Sequence, residues 1–127
     1  MALFDTDVLI DVLREIPGAR EDLQKLTGGK KLISVITYGE VLFGMRGHET
    51  GPTLALLSGF QVIKADKEVI ELAYDVKNKA RGHNLELYDC IIAATAIIEH
   101  QAVVTGNKRH FPDPRLKVIV PEYKSLK

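Results

Sequence analysis

The sequence predicts an α/β fold, a sandwich around a mostly parallel sheet of about five strands. Two observations predict it. Short apolar runs of strand length alternate along the chain with segments whose apolar residues recur every three to four positions. One later segment is apolar on nearly every side, as a helix lying in the interior would be. Strands separated by helices pair in parallel through right-handed crossovers, because a tight hairpin joins only antiparallel neighbours. At 127 residues the chain has the length of one domain, 1–127, with one site on one scaffold.

The first strand is ALF at 2–4, after which Val8, Leu9, Val12 and Leu13 share one face of a helix. PGA at 17–19 interrupts, and a short second helix through Leu23 and Leu26 ends at Gly28 and Gly29. KLIS at 31–34 forms the second strand, followed by a helix through Ile36, Val41, Leu42 and Met45 that Gly47 closes. HETGPTLALLS at 48–58 is poorly periodic and leads to the third strand, FQVIKA at 60–65. Asp66 then caps a helix with Val69, Leu72, Ala73, Val76 and Ala80 along one side. The apolar helix over 87–100 feeds AVVT at 102–105, and KVIV at 117–120 supplies the last strand. PEYKSLK at 121–127 reads as a solvated tail or edge extension.

Composition narrows the function only a little. Lys and Arg total 17 against 17 Asp and Glu, so no bulk positive field draws in nucleic acid, and any such binding needs local patches and an added cation. A single cysteine, Cys90, and no basic-then-apolar start predict a reducing, cytoplasmic setting. The longest apolar run, 90–98, is too short to span a bilayer. No membrane association is expected.

The acids carry the functional signal. Ligands of open parallel sheets gather outside the carboxyl ends of the strands, where strand order reverses. Asp5 follows the first strand, Glu40 lies in the first turns of the helix after the second, and Asp89 lies near the start of the helix that feeds the fourth. All three should face one end of the sheet. Each also has a structural explanation: Asp5 as an N-cap, TYGE at 37–40 as a capping box from Thr37 to Glu40, and Asp89 as a first-turn carboxylate favoured by the helix dipole. Convergence favours chemistry. Two carboxylates about 4 Å apart repel by about 4 kcal/mol at an effective dielectric near 20, and a divalent cation removes that conflict. Oxygen ligands without clustered His or Cys point to Mg²⁺ or Mn²⁺.

The segments FDTDVLID at 4–11, SVITYGEVLFG at 34–44, YDCIIAATAIIEHQAVVTGNKRHF at 88–111 and LKVIV at 116–120 together resemble the PIN-domain family, in its small VapC-type branch of toxin–antitoxin ribonucleases. The resemblance runs over essentially the whole chain in the right order. It implies a PIN-like three-layer α/β/α sandwich and an RNA endonuclease in which Asp5, Glu40 and Asp89 hold Mg²⁺ or Mn²⁺. It further implies a homodimer, with the helices after Gly18 and Thr50 as contact surfaces, and a small antitoxin inserted across a basic, metal-binding cleft. Thr6 and either Ser34 or Thr37 match small hydroxyl positions near the family's site. Where the family often has a fourth acid, TGNKRHF at 105–111 has Asn107 and His110, so a second metal is in question. Asn107 retains a carbonyl for coordination. His110 is a phosphate contact or proton shuttle if it is not a surface or capping histidine.

Other residues carry less. Cys90 reads as a small buried hydrophobe, Asp113 as a turn residue, and Arg14, Arg46, Lys108, Arg109 and Arg115 as candidate phosphate contacts. FDTDVLID also resembles the opening of haloacid-dehalogenase-type phosphatases, in which Asp5 would be the nucleophile and Asp7 the acid/base. The late acidic pair of that family is missing from VVTGNKRH. A PIN-like module without catalysis is a third reading. In the nuclease reading Asp7 turns away from Asp5 as a first-turn or supporting carboxylate, and Asp11, on Asp7's face, is solvated.

Overall fold

The computed structural model describes residues 2–26 and 29–125. Its elements are β1 (Ala2–Phe4), α1 (Thr6–Leu13), α2 (Ala19–Lys25), β2 (Lys31–Ser34), α3 (Val35–Gly44), α4 (Thr50–Leu57), β3 (Gln61–Ile63), α5 (Lys67–Lys79), α6 (Leu87–Glu99), β4 (Ala102–Val104) and β5 (Val118–Ile119). Short 3₁₀ turns occupy Gly47–Glu49, Lys108–His110 and Glu122–Ser125. All four strand pairings are parallel, in the order β3-β2-β1-β4-β5. This is the α/β sandwich that the alternating pattern predicts.

Alternation along the strands divides the core into two layers. Leu3, Leu32 and Val103 face α5 and α6, while Ala2, Phe4, Ile33 and Val104 face the side covered by α1 to α4. Residues Cys90 to Ala96 of α6 are all buried, as its uniformly apolar sequence requires. Thr95, in the middle of that run, donates its hydroxyl to the Ile91 carbonyl at 2.8 Å and so leaves no unmet polar group.

The order of the strands decides where a ligand can sit. From central β1 the chain moves to β2 and β3 on one side, then returns to place β4 and β5 on the other. The crevice opens at the carboxyl ends of β1 and β4. There the Asp5 amide donates to the Val104 carbonyl at 2.9 Å, which fixes Asp5 at the mouth.

Several local expectations are corrected. The cap of α3 is Ser34, whose hydroxyl accepts from the Ile36 amide at 3.1 Å, so Thr37 lies one turn inside the helix and TYGE is no capping box. α3 ends at Gly44, ahead of Gly47. Residues 50–57 form α4 despite their weak periodicity, because only Thr53 and Leu57 of this helix are buried and two residues make no readable stripe. α2 ends at Lys25, and of the glycine pair expected to stop it Gly28 lies outside the described residues. The segment after β5 is no free tail. Tyr123 is buried, and its amide donates to Asp22 Oδ2 at 2.7 Å.

Candidate active site

Asp5 sits between β1 and α1 and caps the helix, with Oδ1 accepting from the Thr6 amide at 2.8 Å. Its Oδ2 accepts from the Thr105 hydroxyl, also at 2.8 Å, and that hydroxyl in turn accepts from the Asn107 amide at 3.0 Å. The loop after β4 is thereby tied to the carboxylate after β1. Thr6 reaches the other way: its hydroxyl donates to Glu40 Oε1 at 2.6 Å and lies 3.1 Å from the Thr37 hydroxyl. Asp89, in the first turn of α6, lies 3.4 Å from His110 Nδ1.

One cavity of about 480 Å³ is lined by Asp5, Glu40 and Asp89 together with Thr6, Asn107 and His110. The three acids that their positions along the chain placed at one end of the sheet are thus brought together. Thr37 supports Thr6 from inside α3, and Ser34 serves as a cap. His110 stands beside Asp89 at the cavity with its side chain still partly exposed.

Asp7 is where the reading from sequence fails most clearly. It lines the same cavity as Asp5, so the view that it turns away is corrected. Asp7 Oδ2 accepts from the Gly106 amide at 3.0 Å and from Asn107 Nδ2 at 3.4 Å, while Oδ1 is buried without a partner. Asp11 is also no solvated acid, since Oδ2 receives the Tyr123 hydroxyl at 2.8 Å and lies 2.7 Å from Lys124 Nζ. Asp11 and Glu86 border the cavity as well. Thr105 was missed altogether, although its position just after β4 matches that of Asp5 after β1 and was the available signal.

Crowding leaves its mark on these carboxyls. Asp5 is pushed up to about 7, by burial first and the neighbouring Asp7 charge second, against the hydrogen bonds from Thr105 and Thr6. Asp7 is raised chiefly by burial, with the Gly106 amide and Lys124 opposing. Asp89 is raised by burial, partly offset by His110. Such a site is short of positive charge.

The lining contains no Lys or Arg, so the expected basic cleft is corrected to an acidic one. Arg14 is paired with Glu49. Arg115 is held by Asp113 at 2.7 Å and by Asp75 at 3.1 Å. Asp113 receives the Arg115 amide at 2.9 Å as well, which makes it the turn residue expected. Lys108 and Arg109 line a separate depression beside Phe111. Cys90 is a buried thiol among apolar residues.

Among the described residues, no three His, Cys, Asp or Glu side chains converge as a ready-made metal cage. The donors still fit a hard cation. They are the carboxylate oxygens of Asp5, Glu40 and Asp89 around one cavity that no Lys or Arg lines. Mg²⁺ is ordinarily held by one or two carboxylates with retained water and substrate phosphates, so a closed protein cage is not its signature.

Comparison with known proteins agrees with this architecture. The chain belongs to the PIN domain family, whose model matches residues 2–115. Within the family its similarity is to proteins named as VapC ribonucleases. Ribonuclease VapC10 of Mycobacterium tuberculosis is 37% identical over 115 residues, which cover 88% of this chain and 86% of the relative. Ribonuclease VapC1 of Methanocaldococcus jannaschii is 33% identical, with coverage of 86% and 77%. A toxin–antitoxin complex from Klebsiella pneumoniae contains a chain of the same fold, with a TM-score of 0.83, 31% identity and coverage of 95% of this chain and 98% of that one. The phosphatase reading is set aside by family membership rather than by Asp7, which lies in the cleft on either reading.

Proposed function

We propose that this protein is a metal-dependent endoribonuclease, the toxin of a VapBC-type toxin–antitoxin pair. The observation that carries the reading is the gathering of Asp5, Glu40 and Asp89 around one cavity at the sheet's switch point, in a chain whose relatives are named ribonucleases. Asp5, Glu40 and Asp89 would hold Mg²⁺ or Mn²⁺, which when bound polarises the scissile phosphate and makes water a nucleophile near neutral pH.

The chain's own residues supply the positioning. Thr105 and the Thr6 amide orient the two oxygens of Asp5, and the Thr6 hydroxyl fixes Glu40, so neither carboxylate has to be ordered when substrate arrives. His110, beside Asp89 at the mouth, is placed to contact a phosphate oxygen or pass a proton to the leaving group. The structure matched in Klebsiella pneumoniae is a toxin–antitoxin complex, which supports a small antitoxin as partner. A homodimer would use exposed apolar side chains, of which Phe43, Tyr88 and, on α4, Leu54 are available. The described residues contain no helix long and apolar enough to cross a membrane.

The test is cleavage of a broad pool of transcripts by antitoxin-free protein with Mg²⁺ or Mn²⁺. Cutting should vanish in EDTA and fall by at least about a hundredfold in Asp5→Asn and Asp89→Asn, with the fold intact by circular dichroism. If the wild-type protein binds no divalent ion and cuts no RNA, the domain is a binding module.

A further inference from the structure

We propose that Lys124 is the resident cation of the Asp7 and Asp11 side of the cleft, so that the site takes one divalent ion, on the Asp5, Glu40 and Asp89 side, and not two. The inference rests on the metal-dependent reading above and concerns how many ions that site can hold. Its starting point is the acid count. Six carboxylates, Asp5, Asp7, Asp11, Glu40, Glu86 and Asp89, border a single cavity, which would be enough for two divalent ions if all were open to them.

They are not equally open. Lys124 Nζ lies 2.7 Å from Asp11 Oδ2 and 4.0 Å from Asp7 Oδ2. The Asp7 oxygen on that side already accepts from the Gly106 amide and from Asn107 Nδ2. Asn107, at the position where a fourth acid would add charge, turns its amide group to Asp7 as a donor. One oxygen of Asp7 is thus occupied by two hydrogen bonds and a neighbouring ammonium. A second divalent ion would be left with Oδ1 of Asp7, which is buried, and would sit against the neighbouring positive charge of Lys124.

The ammonium is held there by the chain. Tyr123, the preceding residue, is anchored through its amide to Asp22 and through its hydroxyl to Asp11, and the Lys124 amide donates to the Pro121 carbonyl at 3.0 Å. Gly106 completes the fit. A Cβ at that position would stand 2.5 Å from Lys124 Cε and 2.6 Å from Asp7 Oδ2, so any larger residue would push one or both side chains out of their present place. The turn at Glu122–Ser125 therefore holds a charge on the flank of the site.

Isothermal titration with MnCl₂, checked by electron paramagnetic counting of free Mn²⁺, tests this on the full chain. Wild type and Lys124→Arg should bind one ion per chain. Lys124→Met and Lys124→Gln should bind two, the second at least tenfold more weakly, and adding Asp7→Asn to either should return the count to one. Two ions on the wild type, or one ion on both neutral Lys124 variants with an unchanged circular dichroism spectrum, would overturn the proposal while leaving the nuclease reading intact. No ion on the wild type overturns the metal-dependent reading and this inference with it.

Discussion

Asp5 gains nothing for folding from its own charge. Its carboxyl holds a proton up to about pH 7 in the folded chain, against an ordinary value of 3.8. Between those values the folded state binds a proton that the unfolded state has released. The stability associated with Asp5 is therefore fully present below about pH 4 and is lost as pH rises through about 7. Asp5→Asn keeps an acceptor for the Thr6 amide and removes the charge. In EDTA the variant should melt clearly above wild type at pH 8, by the equivalent of a few kcal/mol, and close to it at pH 5. Thermal melts at the two pH values decide it, and equal melting temperatures at pH 8 would show that the buried charge is tolerated. Asp5 was legible in sequence because it directly follows a strand. Asp7 was not, because spacing along α1 separates it from Asp5 by a helical rotation but does not reveal that the loop at 105–107 folds over and encloses both. Contacts separated by about a hundred positions leave no periodic trace.

α3 shows how an element can serve the site at two different positions. Ser34, fully buried, ends β2 and caps the helix; Thr37, one turn on, meets Thr6; Glu40, a further turn on, receives the Thr6 hydroxyl. Ser34→Ala should therefore lower stability by about 1 kcal/mol, the usual effect of losing a cap, with little effect on Mn²⁺ affinity. Thr37→Ala leaves the cap intact and should weaken Mn²⁺ binding through a looser Thr6 and Glu40. Urea melts and metal titrations on the pair separate the two roles, and a larger loss of metal affinity in Ser34→Ala would reverse the assignment. Elements with a continuous apolar stripe, such as α1 and α5, were legible from their periodicity, and α6 from being apolar on nearly every side. α4 was not, since it buries only Thr53 and Leu57. The turn at Glu122–Ser125 was not either, because its short polar sequence gives no sign of Tyr123 sinking into the core and leaving Lys124 against the acids.

At the scale of the whole molecule, balanced charge conceals a strongly uneven distribution. The 17 basic and 17 acidic residues cancel, yet the cavity at the switch point is lined by six carboxylates, with Lys124 on its flank. The strand order causes this: with β1 central, residues just past β1 and β4 and near the starts of α3 and α6 are all drawn to one end of the sheet. An RNA phosphate entering that cleft without a cation meets like charge at short range. Wild-type protein in EDTA should therefore bind a short single-stranded RNA poorly, and a variant that cannot cut should bind it better. Asp89→Asn should tighten binding in EDTA by about fivefold, equivalent to roughly 1 kcal/mol for one unit charge removed in a solvated cleft, and the gain should shrink at high salt. Added Mg²⁺ should reverse the order, because the ion restores attraction only where the carboxylates that hold it are intact. Fluorescence anisotropy with and without EDTA, at two salt concentrations, measures all of this. If Asp89→Asn binds no better than wild type in EDTA, the RNA path does not cross the acidic cavity and instead follows the exposed Lys108 and Arg109 outside it.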